Sequence, residues 1–349
     1  MLIKDYMAKI GKYRAHIMGF CILDVLIGHS DMIFRLGPLS YLTKLLWVID
    51  IFFFMTGLGA YHSLSKNPSL LPFYKRRFMR VYPCYLPVIL IYVIPIFVYA
   101  IRFSPELLLR NIQEFLGNLF LMGWFAGLDN QFNWYIQALM VFYLVAPPMV
   151  LLVKHFEGSG KKLAGLLLFF CVTQVCFFGS GFLVAYARTI AFVMGIIAAD
   201  LAVRNKNFKL NVPLMLILWV IGNGLAYYLH SMPTELGMKY GFSWYPGLII
   251  IPGMMLILSW VFEFCSKHKA LAWISSAFSV LGQYSLEIYI VNVLGYDLLA
   301  RCEISSMINS LPNYLIRNAV WFVIAIALGI ISIIYGKFIH KLLARRKTA

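Results

Sequence analysis

Six ionisable side chains fall inside apolar runs: Asp24, His29, Asp50, Arg188, Asp200 and Glu287. An ionisable group at membrane depth costs several kcal/mol unless it is paired or wet, so each is a functional candidate by default. His29, in "CILDVLIGHSDMIF", has the richest chemistry. Imidazole is neutral near pH 7 at little cost and can both accept and donate a proton, as a general base must. Asp24 precedes it by five residues, about 140° around a helix, so the two do not stack on one face. A carboxylate that orients His29 would come from another helix, and Asp50 in "WVIDIFFF" is the candidate. His29 can equally be interhelical glue, hydrogen-bonded to a neighbouring helix. Asp200 lies close enough to a helix end to be solvated.

Three further stretches carry chemistry. In "FYKRRFMRVYP", Lys75, Arg76, Arg77 and Arg80 fall within six residues, and Arg77 and Arg80 share a helix face. Such a cluster can grip phosphates bidentately, or simply anchor the chain to anionic lipid. The Pro83 that closes it predicts a helix break. In "FNWYIQALMVFYLVAPP", Asn133, Trp134, Tyr135 and Gln137 open a helix. They read either as an aromatic belt at the membrane interface or as hydrogen-bonding and stacking groups for sugar hydroxyls. In "LGQYSLEIYIVN", Glu287 sits among Tyr284, Ser285 and Tyr289, with Asn292 further on. Pairing of Glu287 with Arg188 would make both structural.

The elements that must position these groups are membrane helices. The 349 residues are 62% hydrophobic and 13% charged, against roughly half and a quarter in soluble domains. Several runs near 20 residues are almost free of charge, the length that crosses the hydrocarbon core. The expected fold is all-α, a polytopic integral membrane protein of about ten transmembrane helices. The spans are roughly 16–34, 42–64, 84–103, 132–153, 163–182, 184–203, 212–230, 246–264, 271–298 and 318–339. Residues 112–125 are too short to cross and read as an interfacial or re-entrant helix. Residues 1–349 read as one transmembrane domain, with no soluble domain and no internal repeat.

The net charge of +16 would suggest nucleic acid in a soluble protein, but here the charges sit in short connections, so no nucleic acid is expected. With the N-terminus inside, 22 of the 30 Lys and Arg fall on the cytoplasmic side and seven on the other. The positive-inside rule then puts both termini in the cytoplasm. The basic start lacks a small-residue cleavage site, so no cleavable signal is expected. The six cysteines are scattered without a CxxC pair, and read as packing residues with no metal site. His16, His62, His155, His230, His268 and His340 read as surface groups. Gly-rich phosphate loops, HExxH, GxSxG and EF-hand patterns are absent.

The order of these stretches resembles the membrane-bound acyltransferase 3 family: a basic N-terminus, a first span ending in histidine, "FFFMTGLGAYHSL", "FYKRRFMRVYP", "WYIQALMVFYLVAP" and "LGQYSLEIYIVN". The resemblance covers roughly residues 12–340. It implies a ten-helix bacterial inner-membrane protein that acylates, often O-acetylates, surface carbohydrates. The family's first-helix motif has an arginine, ten residues and a histidine; His29 matches the histidine, whereas Met18 holds the arginine position. Arg14, one turn earlier on the same face, is the substitute. Asn292 stands where the family often has histidine.

The resemblance implies His29 as general base or transient acyl acceptor, with Asp50 or Asp24 orienting it. It assigns Arg14, Arg76, Arg77 and Arg80 to the phosphates of a cytoplasmic acyl-CoA, acetyl-CoA above all. Asn133, Trp134, Tyr135, Gln137, Glu287 and Asn292 would meet the carbohydrate acceptor. The donor is a substrate, so no bound cofactor and no metal are expected. The partners are acyl-CoA, the acceptor glycan and the lipid bilayer, with a second copy of the chain as a candidate. If the first span starts near residue 16, His29 lies about 20 Å deep, within reach of an extended pantetheine arm. The competing reading is a secondary transporter or lipid-linked glycan flippase, which also places Asp, His, Glu and Arg at depth.

Overall fold

The computed structural model of the chain describes every residue except 35–47, 129–133, 157, 178–181, 231–244, 302–303, 312 and 349. Among the described residues the fold is helical throughout, with one isolated bridge between Leu2 and Lys209. The helices are α1 (Ile3–Lys12), α2 (Arg14–Phe34), α3 (Val48–Lys66), α4 (Leu70–Phe103), α5 (Leu108–Leu119), α6 (Trp134–His155), α7 (Ser159–Phe177) and α8 (Leu183–Tyr186). They continue with α9 (Thr189–Arg204), α10 (Val212–His230), α11 (Pro246–Lys267), α12 (Ala272–Gln283), α13 (Ser285–Arg301), α14 (Ile304–Asn309) and α15 (Tyr314–Thr348).

Six of these, α3, α4, α6, α10, α11 and α15, are long and apolar enough to cross a membrane. The count becomes seven if α12 and α13 form one broken span. Among the described residues, then, fewer than the ten spans expected from hydropathy take the form of long apolar helices. The run 271–298 is interrupted at Tyr284, and α9 has only 16 residues because its N-cap is Arg188. Arg188 thus sits at a helix end, between α8 and α9. Hydropathy averages over a window and does not register a break of one residue.

The stretch around Pro83 departs from expectation in the opposite direction. The helix does not break there: α4 runs for 34 residues with Pro83, Pro87 and Pro95 inside it. Each proline removes one intrahelical donor, which membrane helices tolerate when neighbouring groups satisfy the freed carbonyls. The carbonyls left without a helical donor are those of Met79, Pro83 and Ile91; nearby, the Tyr335 hydroxyl donates to the Cys84 carbonyl at 2.6 Å. The basic run 75–80 is accordingly helical, on the early turns of α4.

The chain divides into two compact units. The first comprises Met1–Cys21, Leu42–Lys75 and Val141–Gln283. In it α1 is amphipathic, burying Ile3, Tyr6, Met7 and Ile10 at helical spacing. The Tyr6 hydroxyl donates to the Pro252 carbonyl at 2.9 Å, and Lys9 pairs with Glu263 at 2.5 Å. The helices α3 and α9 pack through glycine. A Cβ on Gly57 would run into the carbonyl of Phe192, and one on Gly195 into the carbonyl of Phe54. Small residues that let backbones approach closely are how membrane helices associate without a hydrophobic driving force. In the same unit α10 lies against α11.

The second unit comprises Ile22–Tyr41, Arg76–Met140 and Tyr284–Ala349. There α13 packs on α15, and Tyr296, Ile308 and Trp321 form a core against which Ile27 of α2 rests. The helix α5 is an inverted amphipath. Asn111 and Asn118 are buried, while Leu109, Leu116 and Phe120 are exposed. The hydroxyls of Tyr85 and Tyr82 donate to the carbonyls of Asn118 and Leu119 at 3.2 and 3.0 Å. Twelve residues rise about 18 Å, too little to cross a bilayer. The expected interfacial or re-entrant helix of 112–125 thus overlaps a short helix with Leu109 and Leu116 turned outward and Asn111 and Asn118 turned inward.

Candidate functional site

The second unit assembles most of the candidate residues. His29 lies on α2, which runs unbroken from Arg14 to Phe34. The turn holding it is fixed on both sides. Ile27 packs on the Tyr296–Trp321 core, and Ser30, fully buried, donates its hydroxyl to the Leu26 carbonyl at 2.5 Å. His29 itself is partly buried. Its ring meets Tyr289 of α13 edge-on, with centroids 6.3 Å apart and planes at 68°.

An aromatic run leads away from this contact. Tyr289 meets Tyr135 of α6 at 5.1 Å, Tyr135 meets Trp134 at 6.0 Å, and Trp134 meets Trp124 at 6.2 Å. Gln137 holds the far end, since its Oε1 accepts the backbone N–H of Trp124 at 2.9 Å. Trp134, Tyr135 and Gln137, predicted together from one helix start, are thus joined to His29 through Tyr289. Asn133 lies outside the described residues. Tyr289 and Trp124 were not among the sequence candidates. The signal for Tyr289 was its place beside Glu287 in "SLEIYIVN"; Trp124 had none.

Two of the acceptor candidates go elsewhere. Glu287 precedes Tyr289 by two residues, so it points about 200° around α13 from the ring that meets His29. Its Oε1 accepts from Cys84 of α4 at 3.4 Å and lies 2.8 Å from Nε2 of His340 on α15. Glu287 therefore pairs with His340, not with Arg188, and His340, at the surface as expected, is engaged there. Asn292 is fully buried. Its amide donates to the Ile288 carbonyl at 2.9 Å and reaches Ser332 Oγ at 3.4 Å. Its Oδ1 has no hydrogen-bond partner among the described residues.

The carboxylates proposed to orient His29 are placed as follows. Asp24 is buried, and its Oδ1 has no hydrogen-bond partner among the described residues. Continuous helix between it and His29 holds the two about 7.5 Å apart along the axis and about 140° around it. Asp50, in the first unit, forms an ion pair with Arg188, Oδ1 to Nε 3.3 Å, with both side chains buried. Asp200 is not solvated. It is fully buried, accepts from the Tyr61 hydroxyl at 2.9 Å, pairs with Lys162 and lies 3.2 Å from Arg204. A helix end close to a connection is not a wet one when other helices cover it. Burial and the nearby charge of Arg204 lower the Lys162 pKa.

The donor candidates lie on two helices. Arg76, Arg77 and Arg80 occupy successive turns of α4, with Arg76 and Arg80 exposed and Arg77 partly buried. Arg76 and Arg80 are four apart and Arg77 and Arg80 three apart, so the three guanidinium groups share one side of the helix. Arg80 stands one turn before Cys84, close enough for its charge to act on that thiol. Arg14, in the first unit, is exposed at the start of α2, and its charge falls on His62.

A family model described as an acyltransferase domain matches residues 17–337. No curated protein and no solved structure matches the chain.

Proposed function

Because the chain belongs to the membrane-bound acyltransferase 3 family, as the match over most of its length shows, we propose that it is an O-acetyltransferase. It moves an acetyl or other acyl group from cytoplasmic acyl-CoA to a hydroxyl of a cell-surface polysaccharide or its lipid-linked precursor. It works in the bacterial inner membrane with both termini in the cytoplasm.

The observation that carries this reading is the contact of His29 with Tyr289 and its continuation through Tyr135 to Trp134. A base beside a run of aromatic rings with hydroxyl and amide groups suits a sugar, which offers apolar ring faces to stack and hydroxyls to deprotonate. His29 takes the proton of the acceptor hydroxyl as its oxygen attacks the thioester carbonyl. The C–S bond breaks, the CoA thiolate leaves and takes that proton, and the sugar ester remains. Arg76, Arg77 and Arg80 hold the donor phosphates by charge-assisted hydrogen bonds. Trp134, Tyr135 and Gln137 position the acceptor, and Asp24 and Arg14 share the helix of His29.

The test is release of free CoA from acetyl-labelled acetyl-CoA by purified protein, with membrane extract as acceptor. His29→Ala should lower turnover by about 100- to 10,000-fold, the usual worth of a positioned base. Arg77→Ala should chiefly raise the apparent KM. Failure of wild type to consume any acyl-CoA would sink the reading and favour transport or lipid-linked glycan flipping, to be followed as flux in liposomes.

A further inference from the structure

We propose that Cys84, Glu287 and His340 form a binding site for a divalent transition-metal ion of the zinc class. The three come from α4, α13 and α15, and their donor atoms all lie within 4.8 Å of one another. Cys84 Sγ is 3.4 Å and His340 Nε2 is 2.8 Å from Glu287 Oε1. Zinc bonds of about 2.0–2.3 Å set tetrahedral donors about 3.3–3.7 Å apart. The sulfur and carboxylate already have that spacing, and the imidazole reaches it by a small movement.

The donor set has the right chemistry. One thiolate, one carboxylate and one neutral imidazole balance the charge of a divalent ion, and S, N and O together suit zinc better than magnesium or calcium. Three protein ligands leave a fourth position open. Arg80 is the adverse charge, one turn away on α4, but it is exposed to solvent. Outer groups hold the ligands in place, as metal sites require. Tyr284 stacks on His340 with centroids 5.6 Å apart, and Tyr335 binds the Cys84 carbonyl at 2.6 Å. A Cβ at Gly336 would crowd Tyr284 and Glu287. Cys84 and Glu287 are buried, while about half of the His340 side chain is exposed, so an ion can reach the pair past the imidazole.

The matched acyltransferase domain ends at residue 337, so one ligand lies beyond it. The site is separate from the acyl-transfer reading and does not depend on it. When filled it ties the helix of the basic run to the helix that carries Tyr289.

The experiment is cobalt titration of the purified full-length chain after chelator treatment. Stoichiometric Co²⁺ should produce a thiolate-to-cobalt charge-transfer band and strong visible bands of tetrahedral Co²⁺, both abolished by added Zn²⁺. Cys84→Ser should remove the charge-transfer band, and Cys171→Ser should keep it. His340→Ala and Glu287→Gln should each weaken binding by more than the roughly 10-fold that loss of an outer partner costs. Absence of stoichiometric binding in the wild type, or a charge-transfer band that survives Cys84→Ser, overturns the proposal.

Discussion

Asp50 and Arg188 meet inside the first unit, carboxylate to guanidinium at 3.3 Å, and both are almost fully removed from solvent. The closeness of Gly247, where a Cβ would strike the Asp50 carboxylate, shows how tightly the pair is enclosed. Removing one partner of a buried pair strands the other charge, at a cost of about 3–5 kcal/mol. Asp50→Ala should therefore lower the unfolding temperature in detergent steeply. Asp50→Ala with Arg188→Leu should recover part of the loss. A variant Asp50→Ala that melts like wild type yet loses turnover would place Asp50 at the chemistry instead.

Asp200 gathers three partners of unequal value. Lys162 is buried with it, whereas Arg204 is nearly half exposed. An exposed pair contributes about 0–1 kcal/mol, and a broken buried one costs about 3–5 kcal/mol. Asp200→Ala should thus destabilise far more than Arg204→Ala. Parallel thermal melts of the two variants decide the point, and equal losses would contradict it.

The edge-on contact of Tyr289 with His29 makes it a positioning residue. Tyr289→Phe keeps the ring and should leave most activity. Tyr289→Ala frees the imidazole, and misplacement of a catalytic group by about 1 Å can cost roughly 100-fold. Turnover should fall in Tyr289→Ala while the apparent KM for acyl-CoA stays near wild type. A change confined to donor KM would mean that the ring serves the donor.

At the crossing of α3 and α9, Gly195 faces the Phe54 carbonyl without room for a methyl group. Gly195→Leu should separate the helices and reduce the yield of folded protein, measured by gel filtration in detergent. Gly224, with open space around it, should accept alanine with no loss. Similar profiles for both variants would remove the close approach from the account of this packing.

Local features of the chain carried far. Apolar length marked α3, α4, α6, α10, α11 and α15 as helices able to cross lipid. The order of loose motifs pointed to the family that the match over 17–337 shows. Pro83 misled because a breaker rule drawn from isolated helices ignores the membrane setting, where interior prolines are tolerated; α4 continues through it.

By itself the sequence determined that this is a helical membrane protein, because hydropathy and residue type are local properties, and the order of its motifs pointed to the acyltransferase family. Only tertiary structure decided the partners. Glu287 takes His340 across 53 residues, and Asp200 takes the Tyr61 hydroxyl across 139. Arg188 takes Asp50, leaving Glu287 to Cys84 and His340. Which cation meets which carboxylate depends on how separate helices cross and rotate against one another, and helical periodicity fixes only the face within a single helix.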